Sequence, residues 1–102
     1  MSADHLIVDL EAYWNDGSLL EAARHGIFRA DEADTFLELL RSIAIGDHEL
    51  VPKRLLSLLW YLPLFLEWQK ERVSEVSPGH IIDYVRFVTE VINILEGVLG
   101  VP

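Results

Sequence analysis

The chain contains no cysteine, which excludes disulfides, thiolate nucleophiles and cysteine-bound zinc or iron–sulfur centres together. Basic residues are scarce. Eight Lys and Arg stand against 17 Asp and Glu, giving a formal net charge of −9 and an isoelectric point near 4.7. Neutralising phosphates requires a basic surface, so nucleic acid is disfavoured as a partner, and anionic membrane surfaces are disfavoured on the same ground. Long apolar runs are missing too. The most apolar segment, Leu55 to Leu66, contains Pro63 and falls well short of the ~20 residues that a membrane span needs. It reads as a buried core helix. Met1 to Leu10 carries Asp4 and Asp9 and no Lys or Arg, the reverse of the basic start of a secretory leader. A cytoplasmic location is the expectation.

What remains is enough for a core. The chain has 102 residues, 51% of them hydrophobic, the size of one domain, and a chain of this length buries roughly 60–70% of its unfolded surface. No metal or disulfide staple is required. No run of alternating polar and apolar residues argues for a sheet, and no repeat or linker divides the chain. The expected fold is all-α: a single-domain bundle of four to five helices over residues 1–102.

The helices are delimited by their punctuation. The first is predicted from about Ala3 to Trp14, with Ser2 or Asp4 at its cap and Leu6, Ile7, Leu10 and Trp14 on one face. Asn15-Asp16-Gly17 is a turn signal. Ser18-Leu19-Leu20-Glu21 matches a capping box, in which serine serves the N3 amide and glutamate reaches back to the serine amide. Gly26 should stop this short helix. Asp31 then suits an N-cap, with Glu32 and Asp34 placed against the helix dipole. The apolar stripe Phe36, Leu37, Leu40, Ile43 and Ala44 follows, ended by Gly46. Pro52 suits the first turn of the next helix. That helix is expected to kink at Pro63, where a hydrogen bond is lost, and to run on to about Val73.

Ser77-Pro78 opens the last helix, with serine as cap and proline at N1. Ile81, Val85, Val88, Ile92, Leu95 and Leu99 recur at helical spacing. A second stripe, Tyr84, Phe87, Val91, Ile94 and Val98, runs beside it. Two stripes exceed the ~100° of a one-sided helix. This helix should therefore be clasped by two neighbours, or by one neighbour and another subunit.

Catalytic and metal-binding patterns are sparse. None of His5, His25, His48 and His80 has a histidine partner at helical spacing. Asp47-His48-Glu49 clusters three ligand types, but adjacent side chains on a turn diverge. There is no G-x-S-x-G, P-loop or G-x-G-x-x-G. Carboxylate pairs such as Asp31 with Asp34, or Glu67 with Glu71, are explained by helix caps and solvated faces without acid–base chemistry. The expectation is no enzyme, no metal and no cofactor.

Two features point toward binding. The aromatic group Trp60, Tyr61, Phe65 and Trp68 around Pro63 reads either as core packing or as a source of an exposed interface anchor, Tyr61 or Trp68. The charge is also uneven: residues 1–49 hold eleven acids and three arginines, residues 50–102 six acids and five bases. Net charges of −8 and −1 follow, so the negative field belongs to the first half. Such a field speeds encounter with a basic partner and helps to specify it; it also keeps an apolar protein dispersed.

A small acidic helical chain with its acids clustered from Asp4 to Glu49 resembles the bacterial immunity proteins. The resemblance implies a binding module that covers the active site or exosite of a cognate toxin, often a basic nuclease. The paired-tyrosine signature of colicin DNase immunity proteins is absent, since Tyr13 and Tyr61 each neighbour a tryptophan instead. On this reading Asp16, Glu21, Asp31, Glu32 and Asp34 face a basic protein partner, and Tyr61 or Trp68 supplies the anchor. Two alternatives stand beside it: a homodimeric structural or regulatory subunit using the last helix as interface, and a small-molecule pocket near Pro63.

Overall fold

The computed structural model describes residues 3–101. Six α-helices are present among them: α1 (Ala3–Ala12), α2 (Leu19–Arg24), α3 (Ala30–Arg41), α4 (Lys53–Trp68), α5 (Lys70–Val76) and α6 (Ile81–Leu99), with a 3₁₀ turn at Pro78–His80 before α6. The all-α class is as expected, with no strand among the described residues. Helix α6 is the centre of the arrangement, packing on α3, α4 and α5, while α1 lies on α4 and α2 on α3. Leucines dominate a single apolar cluster drawn from all six helices. Leu20, Phe36, Leu40, Leu59, Leu66, Tyr84 and Val91 are sealed from solvent. Each such side chain contributes about 1.5–3 kcal/mol of transfer free energy.

The count of four to five helices is corrected to six, and the extra break is not where proline would place it. Helix α4 continues through Pro63 to Trp68; the interruption falls at Gln69. In an unbroken helix the Leu66 carbonyl would accept the Lys70 N–H. Here it accepts the Gln69 N–H at 3.2 Å and the buried Tyr84 hydroxyl at 2.7 Å. A side chain from α6 thus takes the acceptor and turns the chain into α5.

Other boundaries shift for local reasons. Helix α1 ends at Ala12, and Tyr13 and Trp14 follow in a tightened turn whose N–H groups donate to Leu10 and Glu11. The Ser2 cap lies outside the described residues. Asp31 is not the N-cap of α3. Arg29 holds that position, so Asp31 and Glu32 fall in the first turn and Asp34 beyond it. Helix α3 stops at Arg41 rather than near Gly46, because Ser42 Oγ donates to the Leu39 carbonyl at 2.6 Å and competes with the helical ladder. Ile43 then turns into the core while Ala44 faces solvent. Pro52 precedes its helix by one residue. Ser77 does not cap α6; its hydroxyl donates to the Gly26 carbonyl at 2.8 Å.

Both stripes of α6 are largely covered from within the chain. Tyr84, Phe87, Val88, Val91 and Leu95 are buried, Ile81, Ile92, Ile94 and Val98 half-buried, and Val85 and Leu99 exposed. Helix α3 on one flank and α4 with α5 on the other supply the two neighbours.

Candidate functional site

Four of the five acids expected to face a partner converge at one corner, built from the Asn15–Ser18 loop and the starts of α2 and α3. Ser18 sits at the N-cap of α2 in extended backbone, but its hydroxyl makes no cap bond. Glu21 reaches past it, accepting the Gly17 N–H at 2.8 Å. Two first-turn amides find partners outside α2: Leu19 N–H donates to Glu32 Oε1 of α3 at 3.2 Å, and Leu20 N–H to the Tyr13 carbonyl at 3.0 Å. The expected capping box is not formed, because the Ser18 hydroxyl makes no cap bond and Glu21 takes the Gly17 amide rather than that of Ser18. Arg29 closes the corner: it donates to the Gly17 carbonyl, grips Asp31 through Nε at 3.0 Å and Nη2 at 2.8 Å, and lies 3.0 Å from Glu32.

This wiring changes the charges. The Gly17 amide, aided by His25 at 2.8 Å, holds the Glu21 carboxyl below its ordinary range. The fork of Arg29 does the same for Asp31, and Asp31 in turn raises the guanidinium of Arg29. Glu21, Asp31 and Glu32 thus already have partners within the chain. Asp16 and Asp34 have no ion-pair partner among the described residues. Asp34 lies apart from the corner, in a hollow of about 430 Å³ between α3 and α6 that Arg41 and Arg86 also line.

The aromatic residues form a second feature along α4. Phe65 is buried, Tyr61 half-buried, and Trp60 and Trp68 are 56% and 62% exposed. Tyr61 is the hub, with ring centroids 6.0 Å from Trp60, 5.9 Å from Trp68 and 6.2 Å from Phe65. Trp14 crosses from the end of α1 to meet Phe65 edge-on at 4.6 Å. Between these rings opens a cleft of about 520 Å³, walled by Trp14, Trp60 and Tyr61 and edged by Glu11, Arg24 and Arg54. Sequence reasoning offered a small-molecule pocket near Pro63 as an alternative and singled out Tyr61, but it did not identify Trp14 and Arg24 as part of such a cleft, because they reach it only through tertiary packing.

Three serine hydroxyls are bonded to backbone. Ser42, Ser57 and Ser77 donate to the carbonyls of Leu39, Arg54 and Gly26. Of the carboxylates weighed for acid–base work, Asp31 is gripped by Arg29 and Glu67 lies 2.9 Å from Lys70. Asp47, His48 and Glu49 are exposed around a turn, and no group of three metal-ligand side chains occurs among the described residues. No described helix is long and apolar enough to cross a membrane.

No family model, curated protein or solved structure matches the chain.

Proposed function

We propose that this chain is a non-catalytic, cytoplasmic binding module that receives a basic protein partner on its acidic half, in the manner of a bacterial immunity protein neutralising a toxin. The observation that carries the reading is where the uncompensated charge lies. Seven of the 17 acids are ion-paired, which leaves ten without an ion pair among the described residues. Seven of those ten (Asp4, Asp9, Asp16, Asp34, Glu38, Asp47 and Glu49) belong to residues 1–49. The asymmetry seen in the formal charge thus survives subtraction of every internal pair. Asp16 and Asp34 belong to this free set; Glu21, Asp31 and Glu32 shape the corner that carries Asp16, and Asp34 lies apart in the hollow between α3 and α6. Trp68, 62% exposed, offers the kind of large amphipathic surface on which interface energy concentrates.

The test compares immobilised wild-type chain with a variant carrying Asp9→Asn, Asp16→Asn, Asp34→Asn and Glu38→Gln, both exposed to lysate of the native host. The wild type should retain basic proteins that salt elutes, and the variant should lose them while keeping its helical circular dichroism. Identical captured sets with identical salt profiles would sink the proposal. For the inhibitor part, a captured nuclease or other toxin should lose activity when wild-type chain is added.

A second reading, a homodimer through the last helix, is favoured by one observation. Ile82 (71% exposed), Val85 and Leu99 remain uncovered on α6, within the half of the chain that is nearly neutral. Sedimentation as a strict monomer at high concentration removes it.

A further inference from the structure

We infer that the cleft between α1, α2 and α4 is a binding site for a small planar aromatic anion, its ring held among Trp14, Trp60 and Tyr61 and its carboxylate or phosphate group held by Arg24 and Arg54. The cleft's volume of about 520 Å³ lies within the range of small-molecule sites, which combine mostly apolar walls with a few placed polar groups. Three aromatic rings supply the walls. The polar groups are two guanidiniums, and this in the half of the molecule where bases are rarest: Arg24 is one of three arginines in residues 1–49.

Arg24 is distinctive among these. Arg29 and Arg41 hold carboxylates, whereas the guanidinium of Arg24 has no carboxylate within ion-pair distance among the described residues. Its carbon instead lies 5.3 Å from the centroid of Trp14 and 5.5 Å from that of Phe65. A cation–π contact of this kind holds the guanidinium beside the rings without occupying its N–H groups, which remain available as donors. Arg54 is placed by its ion pair with Glu11 at 2.8 Å. A guanidinium carries five donors, so one carboxylate does not exhaust it. Cationic ligands are served poorly, because the aromatic face of Trp14 and the carboxylate of Glu11 are already taken by the chain's own arginines. An anion with a flat ring matches what is left: donors for its charge, and ring edges and faces for its body. The site does not depend on the acidic-surface reading, since it uses neither the free acids nor Trp68.

The experiment follows the indole N–H resonances of the three tryptophans by NMR during titration with benzoate, phenyl phosphate, benzamide and benzylamine. Benzoate or phenyl phosphate should shift the Trp14 and Trp60 signals saturably, in the millimolar range expected of ligands with about ten heavy atoms, and move Trp68 less. Which of the two binds more tightly identifies the acidic group. Arg24→Gln and Arg54→Gln should each weaken binding on the order of tenfold, the worth of one charge-assisted contact. Arg86→Gln, on the exposed start of α6, should leave it unchanged. The proposal is overturned if neither anion shifts Trp14 and Trp60 saturably, if benzamide or benzylamine binds as well as the anions, or if Arg24→Gln binds like wild type. The comparison among the four probes uses the unmodified chain, so it stands even where a variant folds poorly.

Discussion

The Tyr84 hydroxyl of α6 donates to the Leu66 carbonyl of α4 at 2.7 Å, and this one bond joins the central helix to the point where α4 gives way to α5. The phenol is fully buried and its pKa is raised, chiefly by desolvation and secondarily by the charge of Glu67. Tyr84→Phe keeps the ring packing against Phe28, whose centroid lies at 5.6 Å, and removes only the donor. The expected loss is about 1–2 kcal/mol of unfolding free energy, read by urea denaturation. Amide exchange at Val73 and its neighbours in α5 should accelerate beyond the global change. An unchanged midpoint would show that the break at Gln69 does not depend on this bond.

Gly26 and Gly17 share a left-handed backbone, φ +80° and +78°, but not the same surroundings. Gly26 ends α2 in a Schellman arrangement, with Ile27 N–H donating to Ala22 O at 3.1 Å and Gly26 N–H to Ala23 O at 3.0 Å. A Cβ there would lie 2.7 Å from the Arg72 carbonyl and 2.7 Å from Val76 Cβ, whereas at Gly17 it meets nothing within 4 Å. Gly26→Ala should therefore combine conformational strain with a clash and cost about 2–4 kcal/mol. Gly17→Ala should cost only the strain, about 1–2 kcal/mol. Thermal melts of both variants check the ordering.

Glu32 and Asp34 separate structural from free acids. Glu32→Gln weakens the cap on Leu19 N–H and the pairing with Arg29 and should lower stability by about 1 kcal/mol. Asp34→Asn should stay within about 0.5 kcal/mol of wild type. Equal effects in chemical denaturation would contradict the division of the acidic set made above.

Acid titration follows from the same corner. Glu21, held down by the Gly17 amide, and Asp31, held down by Arg29, both have folded-state pKa values below their unfolded ones. Their contribution is present above the unfolded values, about 4, and is lost as pH falls through the lowered folded values. Melting temperature should therefore decline below about pH 4, and Glu21→Gln or Asp31→Asn should each flatten that decline. At the other extreme the raised pKa values of Tyr13 and Tyr84 favour the fold below the unfolded tyrosine value near 10. That support is lost as pH rises through the folded values, so phenolate absorbance from Tyr84 should appear together with loss of helical signal.

Much of the local structure was legible because it depends on neighbours in sequence. The helical period of Tyr84, Phe87, Val91 and Ile94 identified α6 and its two apolar stripes, and Gly26 marked the end of α2. Caps and breaks were less legible. Ser18 and Glu21 spell a capping box, yet Glu21 takes the Gly17 amide and Leu19 N–H is served by Glu32, thirteen residues away. The helix expected to run to about Val73 continues through Pro63 but breaks at Gln69, where the Leu66 carbonyl accepts a tyrosine hydroxyl from eighteen residues further along the chain. In both cases a partner delivered through tertiary packing intervenes.

The candidate site divides the same way. Composition established that the chain is acidic and free of thiol chemistry, and the order of residues that it is helical and that its negative charge lies in the first half. Tertiary structure decided only part of which acids remain free: Glu11 and Glu90 are paired by Arg54 and Arg41 across helices, whereas Glu21, Asp31 and Glu32 meet His25 and Arg29 within four residues of sequence. The cleft at Trp14, Arg24 and Arg54 arose from tertiary structure, through the docking of α1 on α4 and the reach of Arg24 from α2 to the rings of Trp14 and Phe65. Periodicity states which face of a helix is apolar; it carries no information on which other helix will meet that face, and so on which side chains will share a cleft.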